Sequence, residues 1–347
     1  PLVEGIVDCF QARGLKIFWP TKRAAEIEDS KIFCKELCKK YGIPTAGFEA
    51  FDDFEAAKKY VEKVGAPIVV KADGLAAGKG VVIAQTVKEA IESLEKFMLA
   101  KIFGPAGARV VIEECLIGEE CSYIAITDGE IIVPLELAKD YKRVFDNDKG
   151  PNTGGMGSYS PVESLGEAEK EFARKNIVWP MILAMEKEGR TFCGAFYAGI
   201  MKTSAGIKLL EVNCRLGDPE TQVILPRLES SAIELFEAAS TRQLSKIKVR
   251  WKKECAVCVV LSSGDYPGKY KTGFPISGLE EALEYALVFH AGTENGNTGF
   301  LTAGGRVLNV TGIGKTFASA RLKVYRAAGS VDFQGKHFRK DIAISLK

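Results

Sequence analysis

The stretch Val69–Ala84, VVKADGLAAGKGVVIA, sets a lysine and a run of glycines between two apolar, β-like segments. A Walker phosphate loop reads G-x-x-x-x-G-K-[ST], with the last hydroxyl on Mg2+ and the amides of a helix start around the phosphates. Here the spacing from Gly74 to Gly78 is one residue short, Gly80 stands where Ser or Thr belongs, and the following VVIA is β-like. The Walker reading fails on spacing, chemistry and context. A glycine hairpin between two strands can instead fold over phosphates as a flap, its amides approaching oxygens because no Cβ intervenes. Lys71 on the incoming strand and Lys79 in the loop add positive charge, although the bare pattern also fits a simple tight turn.

At 347 residues the chain exceeds one ordinary core and predicts two or three domains. With 46% hydrophobic and 27% charged residues it reads as a soluble globular protein. Lys plus Arg at 47 nearly cancel Asp plus Glu at 45, so no global basic field points to nucleic acid, and a local basic pocket for a phosphorylated small molecule stays compatible. No apolar run approaches the roughly 20 residues of a membrane span and no signal peptide is visible, so the expected location is the cytoplasm, with no membrane partner. Nine scattered cysteines fit reduced thiols. Cys255 and Cys258 form a C-x-x-C, but on a strand positions three apart face opposite sides, which predicts two small core residues and no shared metal. Only His290 and His337 are available for imidazole chemistry.

Val3, Ile6, Val7 and Phe10 have helical spacing up to Gly14, before a strand-like LKIF; the pattern predicts the end of an α/β unit whose beginning is absent. A helix from Asp29 or Ser30 carries Phe33, Leu37 and Tyr41 to the stop at YGIPT. A second helix with Phe54, Ala57, Val61 and Val64 leads into the strand PIVVKA, and Thr86 with Glu89 forms a capping box before another helix and the strand RVVIEECL. Asp128-Gly129 signals a hairpin, a polar loop is predicted over Asp140–Pro161, and Pro180 breaks or kinks a long helical segment. The strands GAFYAGIMKT and IKLLEVNC flank a turn at Ser204–Gly206. From Trp251 onward short strands alternate with Gly and Pro turns, and one helix carries Phe317, Ala320 and Val324.

Three constellations carry chemistry. In IEECLIGEE, Glu113 and Glu120 could accept from an adenine amino group and from ribose hydroxyls, or form a solvated acidic turn. In LLEVNCRLGDPETQ, Glu211 and Asn213 share one face of a strand; two oxygen donors there suit Mg2+, and Arg215 adds a planar cation for phosphate or acyl-phosphate oxygens. The same residues also fit a polar strand edge with an Asp-Pro turn. In GPNTGGMGSYSP, Gly154, Gly155, Met156 and Gly157 form a backbone that can lie close to a ligand, as long glycine-rich loops in compact domains often do.

These strings, with EDSKIFCKELCKKYGIPTA, DYKRVFDNDKG, HAGT and GGRVLNVTGIG, follow one another as in the ATP-grasp superfamily. More closely, the chain resembles its glycinamide ribonucleotide synthetase (phosphoribosylamine–glycine ligase) family. The hairpin indicates only the superfamily, whereas GPNTGGMG together with NCRLGDPETQ is specific to the family. The resemblance runs through the whole chain and implies a multidomain α+β, α/β protein: two α+β ATP-grasp subdomains sandwiching ATP, a small β-rich C-terminal domain, and an N-terminal pre-grasp domain largely absent. The implied domains are a pre-grasp remnant over 1–27, a linking helix over 28–48, a small ATP-grasp subdomain with the flap over 49–119, a large one over 120–250, and the C-terminal domain over 251–347.

By motif position the resemblance puts Lys31, Lys71, Gly74, Gly78, Lys79, Gly80 and Glu114 around ATP, Glu113 near adenine, and Glu120 at the ribose. Glu211 and Asn213 hold Mg2+ or Mn2+. Asp140, Asn152, Gly154, Gly155, Met156 and Asp218 line the glycine and phosphoribosylamine pocket, with Arg215, Lys142 and Arg143 at the reacting anionic groups. The implied chemistry is attack of the glycine carboxylate on the γ-phosphate of ATP, giving glycyl phosphate and ADP. The amine of 5-phosphoribosylamine then displaces phosphate to form the amide of a purine precursor. Such a reaction needs charge neutralisation and alignment rather than a protein nucleophile. Still open beside it are another ATP-grasp carboxylate–amine ligase and a nucleotide-binding module without full activity; the expected assembly is a monomer or homodimer. Three departures stand out: Tyr141 where the family usually has histidine, and Trp19 and Asn147 where it has glycine.

Overall fold

The computed structural model describes residues 1–74, 76, 80–297 and 299–346. The chain divides into two compact units interleaved along the sequence, one of residues 1–135, 164–216 and 233–247, the other of residues 136–163, 217–232 and 248–347.

The first unit holds two antiparallel four-stranded sheets. One has the order Phe48–Phe51, Val110–Glu114, Ile68–Ala72, Val81–Ala84. The helices Phe54–Val64 and Val87–Leu94 supply Ala57, Val61, Ala90 and Leu94 to a core shared with Ile68, Val70 and Ile112 of the strands. Each helix is started by a side chain that satisfies a free amide: Asp53 accepts from Ala56 and Thr86 from Glu89. Glu89 returns its own bond to Gln85, one residue outside the expected capping box. The expected Val64 lies exposed, so the buried face is narrower than the spacing suggested.

The other sheet has the order Gly206–Asn213, Gly194–Thr203, Gly118–Thr127, Ile132–Pro134. Asp128 turns the predicted hairpin by accepting from the amides of Glu130 and Ile131. Between Gly199 and Ile200 the register slips: Gly199 faces Glu211, Ile200 faces Leu209, and Leu210 is left over. This bulge shifts the alternation, so Ile207, Leu209 and Val212 are buried while Leu210 is not, contrary to the unbroken alternation expected there.

Two further expectations change. LKIF forms no strand; it runs irregularly, with Phe18 stacked on Phe236 at 4.6 Å. At Pro180 the helix does not break: a π turn over Arg174–Val178 widens it, and the proline falls in the first turn of Trp179–Lys187, where its missing N–H costs least. A helix unforeseen from sequence, Lys22–Asp29, precedes Lys31–Tyr41.

The second unit is built on a five-stranded antiparallel sheet ordered Leu287–His290, Arg306–Gly314, Cys255–Ser262, Gly157–Ser160, Lys139–Asp140. The helix Phe317–Ser330 covers it with Phe317, Ala320, Val324 and Ala327. Cys255 and Cys258 are both buried in their strand, as small core residues. The expected loop over 140–161 is partly ordered: Arg143–Phe145 pairs with Lys149–Asn152, and Gly157–Ser160 joins the sheet beside Cys255–Ser262. That pairing moves residues 136–163 away from the expected 120–250 domain and into the unit of the C-terminal segment. No helix among the described residues is long and apolar enough to cross a membrane.

Candidate active site

In the first unit the strand Ile68–Ala72 buries Lys71, and the helix Lys31–Tyr41 buries Lys35 one turn after Lys31. Both reach Glu113, which is only 2% exposed: Lys71 Nζ lies 2.9 Å from Oε1 and Lys35 Nζ donates to Oε2 at 2.9 Å. The carboxylate expected at adenine is therefore engaged inside the protein by two ammonium groups. Lys71 Nζ also donates to the carbonyl of the bulged Leu210 at 3.0 Å. Lys35 Nζ donates to Thr45 Oγ1 at 2.7 Å, which passes its own proton to the Leu209 carbonyl at 2.7 Å.

The electrostatics follow from this packing. For Lys71 burial opposes the charge, but the carboxylates of Glu113 and Glu211 together outweigh it and hold its pKa above the ordinary lysine value. For Lys35 burial and the neighbouring Lys71 cation outweigh Glu113, and its pKa is pushed down. Lys31 donates to the Gly74 carbonyl at 3.0 Å; burial, reinforced by Lys71, lowers its pKa against the pull of Glu211, Asp73 and Glu113. Asp73 sets this corner, accepting from Ser30 Oγ and the Ile32 amide through Oδ1 and pairing through Oδ2 with Arg109 at 2.6 Å.

Glu211 and Asn213 follow the bulge and share a face of their strand. Gly199 stands opposite Glu211, and a Cβ there would lie 3.1 Å from Glu211 Cγ, so glycine leaves the carboxylate its space. Among the described residues no group of three or more His, Cys, Asp or Glu forms a metal cluster. Two oxygen donors on one strand nevertheless fit Mg2+, which takes few protein ligands and shares the rest of its octahedron with phosphates and water. Arg215, with its side chain 51% exposed, donates to the Leu216 carbonyl and lies 3.6 Å from Glu28.

Glu114 accepts from Lys208 Nζ and from the Gly47 amide, both at 2.8 Å, so it ties the two sheets together. Glu120 is half-buried in the strand Gly118–Thr127. The Gly74 amide donates to the Ala106 carbonyl in the turn Gly104–Gly107, and the Gly80 carbonyl accepts from the Ala72 amide at the end of the incoming strand, so at these two flap positions the backbone is bonded to neighbouring protein. Gly78 and Lys79 lie outside the described residues.

In the second unit, one residue organises the glycine loop. Arg306 Nη1 donates to the carbonyls of Gly154 at 2.7 Å and Asp218 at 2.9 Å, and Nη2 pairs with the Asp218 carboxylate at 3.0 Å. Gly155 has φ 112° and a Cβ there would overlap Pro219, so glycine is required twice over. Thr153 bonds back to the Lys142 carbonyl, Arg143 donates to the Gly150 carbonyl, and Asn152 faces Arg143 across the ribbon. Asp140 pairs with Ser158 at the sheet edge. Met156, expected to line a substrate pocket, is 0% exposed and belongs to the core. Tyr141 does not present a free tip: its hydroxyl accepts from the Ala343 amide beneath the Arg339 guanidinium.

Lys35, Asp73 and Arg306 were missed by sequence reasoning. A signal existed for Lys35, which lies four residues after Lys31 and so on the same helical face. Arg306 sits in GGRVLNVTGIG, a string that marked the resemblance without suggesting a role.

Comparison with known proteins gives a consistent picture. The family profile described as "Phosphoribosylglycinamide synthetase, ATP-grasp (A) domain" matches residues 29–221, and "Phosphoribosylglycinamide synthetase, C domain" matches residues 256–345. The chain is 48% identical over 342 residues to the phosphoribosylamine–glycine ligase of Halalkalibacterium halodurans, covering 99% of this chain and 79% of that protein. The crystal structure of the Thermotoga maritima phosphoribosylamine–glycine ligase superposes with a TM-score of 0.85 at 39% identity, over 94% of this chain and 81% of that one. A biotin carboxylase domain from Hydrogenobacter thermophilus, solved with MgADP, shares the fold at a TM-score of 0.72 and 14% identity, over 95% and 72% of the two chains.

Proposed function

The chain belongs to the phosphoribosylglycinamide synthetase family, the ATP-grasp phosphoribosylamine–glycine ligases, and from that premise we propose how its own residues carry the reaction. The reaction is the ATP-dependent ligation of glycine to 5-phosphoribosylamine through glycyl phosphate, giving glycinamide ribonucleotide, ADP and phosphate in purine biosynthesis.

The observation that carries the reading is the grouping of Lys31 and Lys71 beside the strand of Glu211 and Asn213, with Lys71 bonded to Leu210, the neighbour of Glu211. Lys31 and Lys71 bind the ATP phosphates, and Glu120 takes the ribose. Glu211 and Asn213 are the residues to hold Mg2+ or Mn2+, which when bound supplies charge neutralisation at the phosphates. Arg215 is held loosely enough to turn toward the acyl-phosphate oxygens. Glu113 acts by holding the two lysines and not by meeting the base. Asn152, Gly154, Gly155 and Asp218 bind glycine and phosphoribosylamine on a loop kept in shape by Arg306. A cytoplasmic location is part of this reading, because nine cysteines scattered without a regular framework suit a reducing compartment.

The test is ADP release with Mg-ATP and glycine, with and without phosphoribosylamine generated in place from ribose 5-phosphate and ammonia. ADP formation requiring both substrates is expected; turnover that depends on bicarbonate would refute the assignment. Glu211→Gln should raise the Mg2+ concentration needed for half-maximal rate and lower kcat by about 100-fold or more. An unchanged Mg2+ requirement would remove Glu211 from the metal.

A further inference from the structure

Phosphate-binding lysines are usually described as single residues, yet Lys71 is one arm of a buried three-membered group. Lys35 and Lys71 share the Glu113 carboxylate, all three are less than 7% exposed, and two cations against one anion leave the group with a net positive charge. Burying three charges is costly unless each is paired. A pair of Glu113 and Lys71 alone would be neutral, and the carboxylate would cancel the charge that Lys71 offers to a phosphate. Lys35 takes up that negative charge on the far oxygen. It is itself anchored through Thr45 to Leu209, next to the Leu210 carbonyl that Lys71 bonds, so both lysines are referenced to the same bulged segment preceding Glu211.

We propose that Lys35 is a positioning residue for the nucleotide. Acting through Glu113, it fixes Lys71 Nζ beside the Leu210 carbonyl and takes up part of the Glu113 charge that would otherwise offset Lys71 toward the phosphates. The inference rests on the reading that Lys71 contacts ATP.

Steady-state kinetics of the enzyme and of Lys35→Met, Glu113→Gln, the double variant and Lys71→Met test it. Lys35→Met should raise KM for Mg-ATP by about tenfold while KM for glycine stays within about twofold. Because Lys35 acts through the shared carboxylate, adding Lys35→Met to Glu113→Gln should change the ATP KM little further. A loss of fold alone would lower the active fraction, and thus kcat, without moving KM for ATP selectively. An ATP KM unmoved by Lys35→Met, or moved equally in both backgrounds, overturns the proposal. If Lys71→Met leaves the ATP KM unchanged, the underlying reading of Lys71 fails instead. Should Lys35→Met not fold, Thr45→Val removes the acceptor that anchors Lys35; a selective rise in ATP KM supports the proposal and no change refutes it.

Discussion

Lys31 heads its helix with its ammonium on the Gly74 carbonyl, and burial holds its pKa below the ordinary 10.5. If its cation binds phosphate, kcat/KM for ATP falls as pH rises through that lowered value, and the fall begins below 10.5. Lys31→Arg, which stays charged, should move this alkaline limb upward; a limb that does not move assigns it to another group. Stability has the opposite sign. Between the lowered pKa and 10.5 the unfolded chain holds a proton that the fold has released, so the contribution of Lys31 to stability rises with pH in that window. Met156 tests the other side of the assignment: as a fully buried core residue, Met156→Ala should cost about 2 to 5 kcal/mol in denaturant unfolding. Among the departures, Asn147 adopts φ 58°, a left-handed conformation that glycine takes freely and asparagine tolerates, so the replacement keeps the turn.

At the scale of elements, the glycine loop and the strand of Glu211 and Asn213 are shaped by irregularities. Gly155 bends the chain at φ 112° against Pro219, between the Gly154 carbonyl that Arg306 grips and the buried Met156. Gly155→Ala should destabilise the fold by about 1 to 3 kcal/mol and reduce turnover; full stability in thermal or denaturant unfolding would show that the loop re-forms without strain. The bulge at Leu210 turns one carbonyl toward Lys71 and keeps Glu211 and Asn213 on a common face. Regular alternation predicted the common face correctly but not the orphaned Leu210, because a bulge inserts a residue without altering composition.

At the scale of the molecule, the two units interleave, and residues 136–163 and 217–232 pack with 248–347. A fragment ending at residue 250 would strand Gly157–Ser160 without its partner Cys255–Ser262. Expressed alone, it should aggregate or lose cooperative unfolding; a soluble, cooperatively folding fragment would refute this division. Much was legible in the sequence: the helices at Phe54 and Phe317, the hairpin at Asp128, the failure of the Walker reading and the family itself. These rest on local signals, since hydrophobic period, caps and turn residues act over a few positions, and the family motifs are contiguous strings. Which groups meet was not legible. Lys35 reaches Glu113 across 78 positions and Arg306 reaches Asp218 across 88. Glu113 read as an exposed acceptor because an acidic residue at a strand end carries no mark of what will be packed on it. By itself, the sequence determined the elements that carry strong local signals, the superfamily and the reaction class, but not the helix Lys22–Asp29 or the strands within 140–161. Tertiary structure alone decided that Glu113 is buried between two lysines and that one arginine holds the glycine loop, because buried charges are paired by whichever elements the fold brings together.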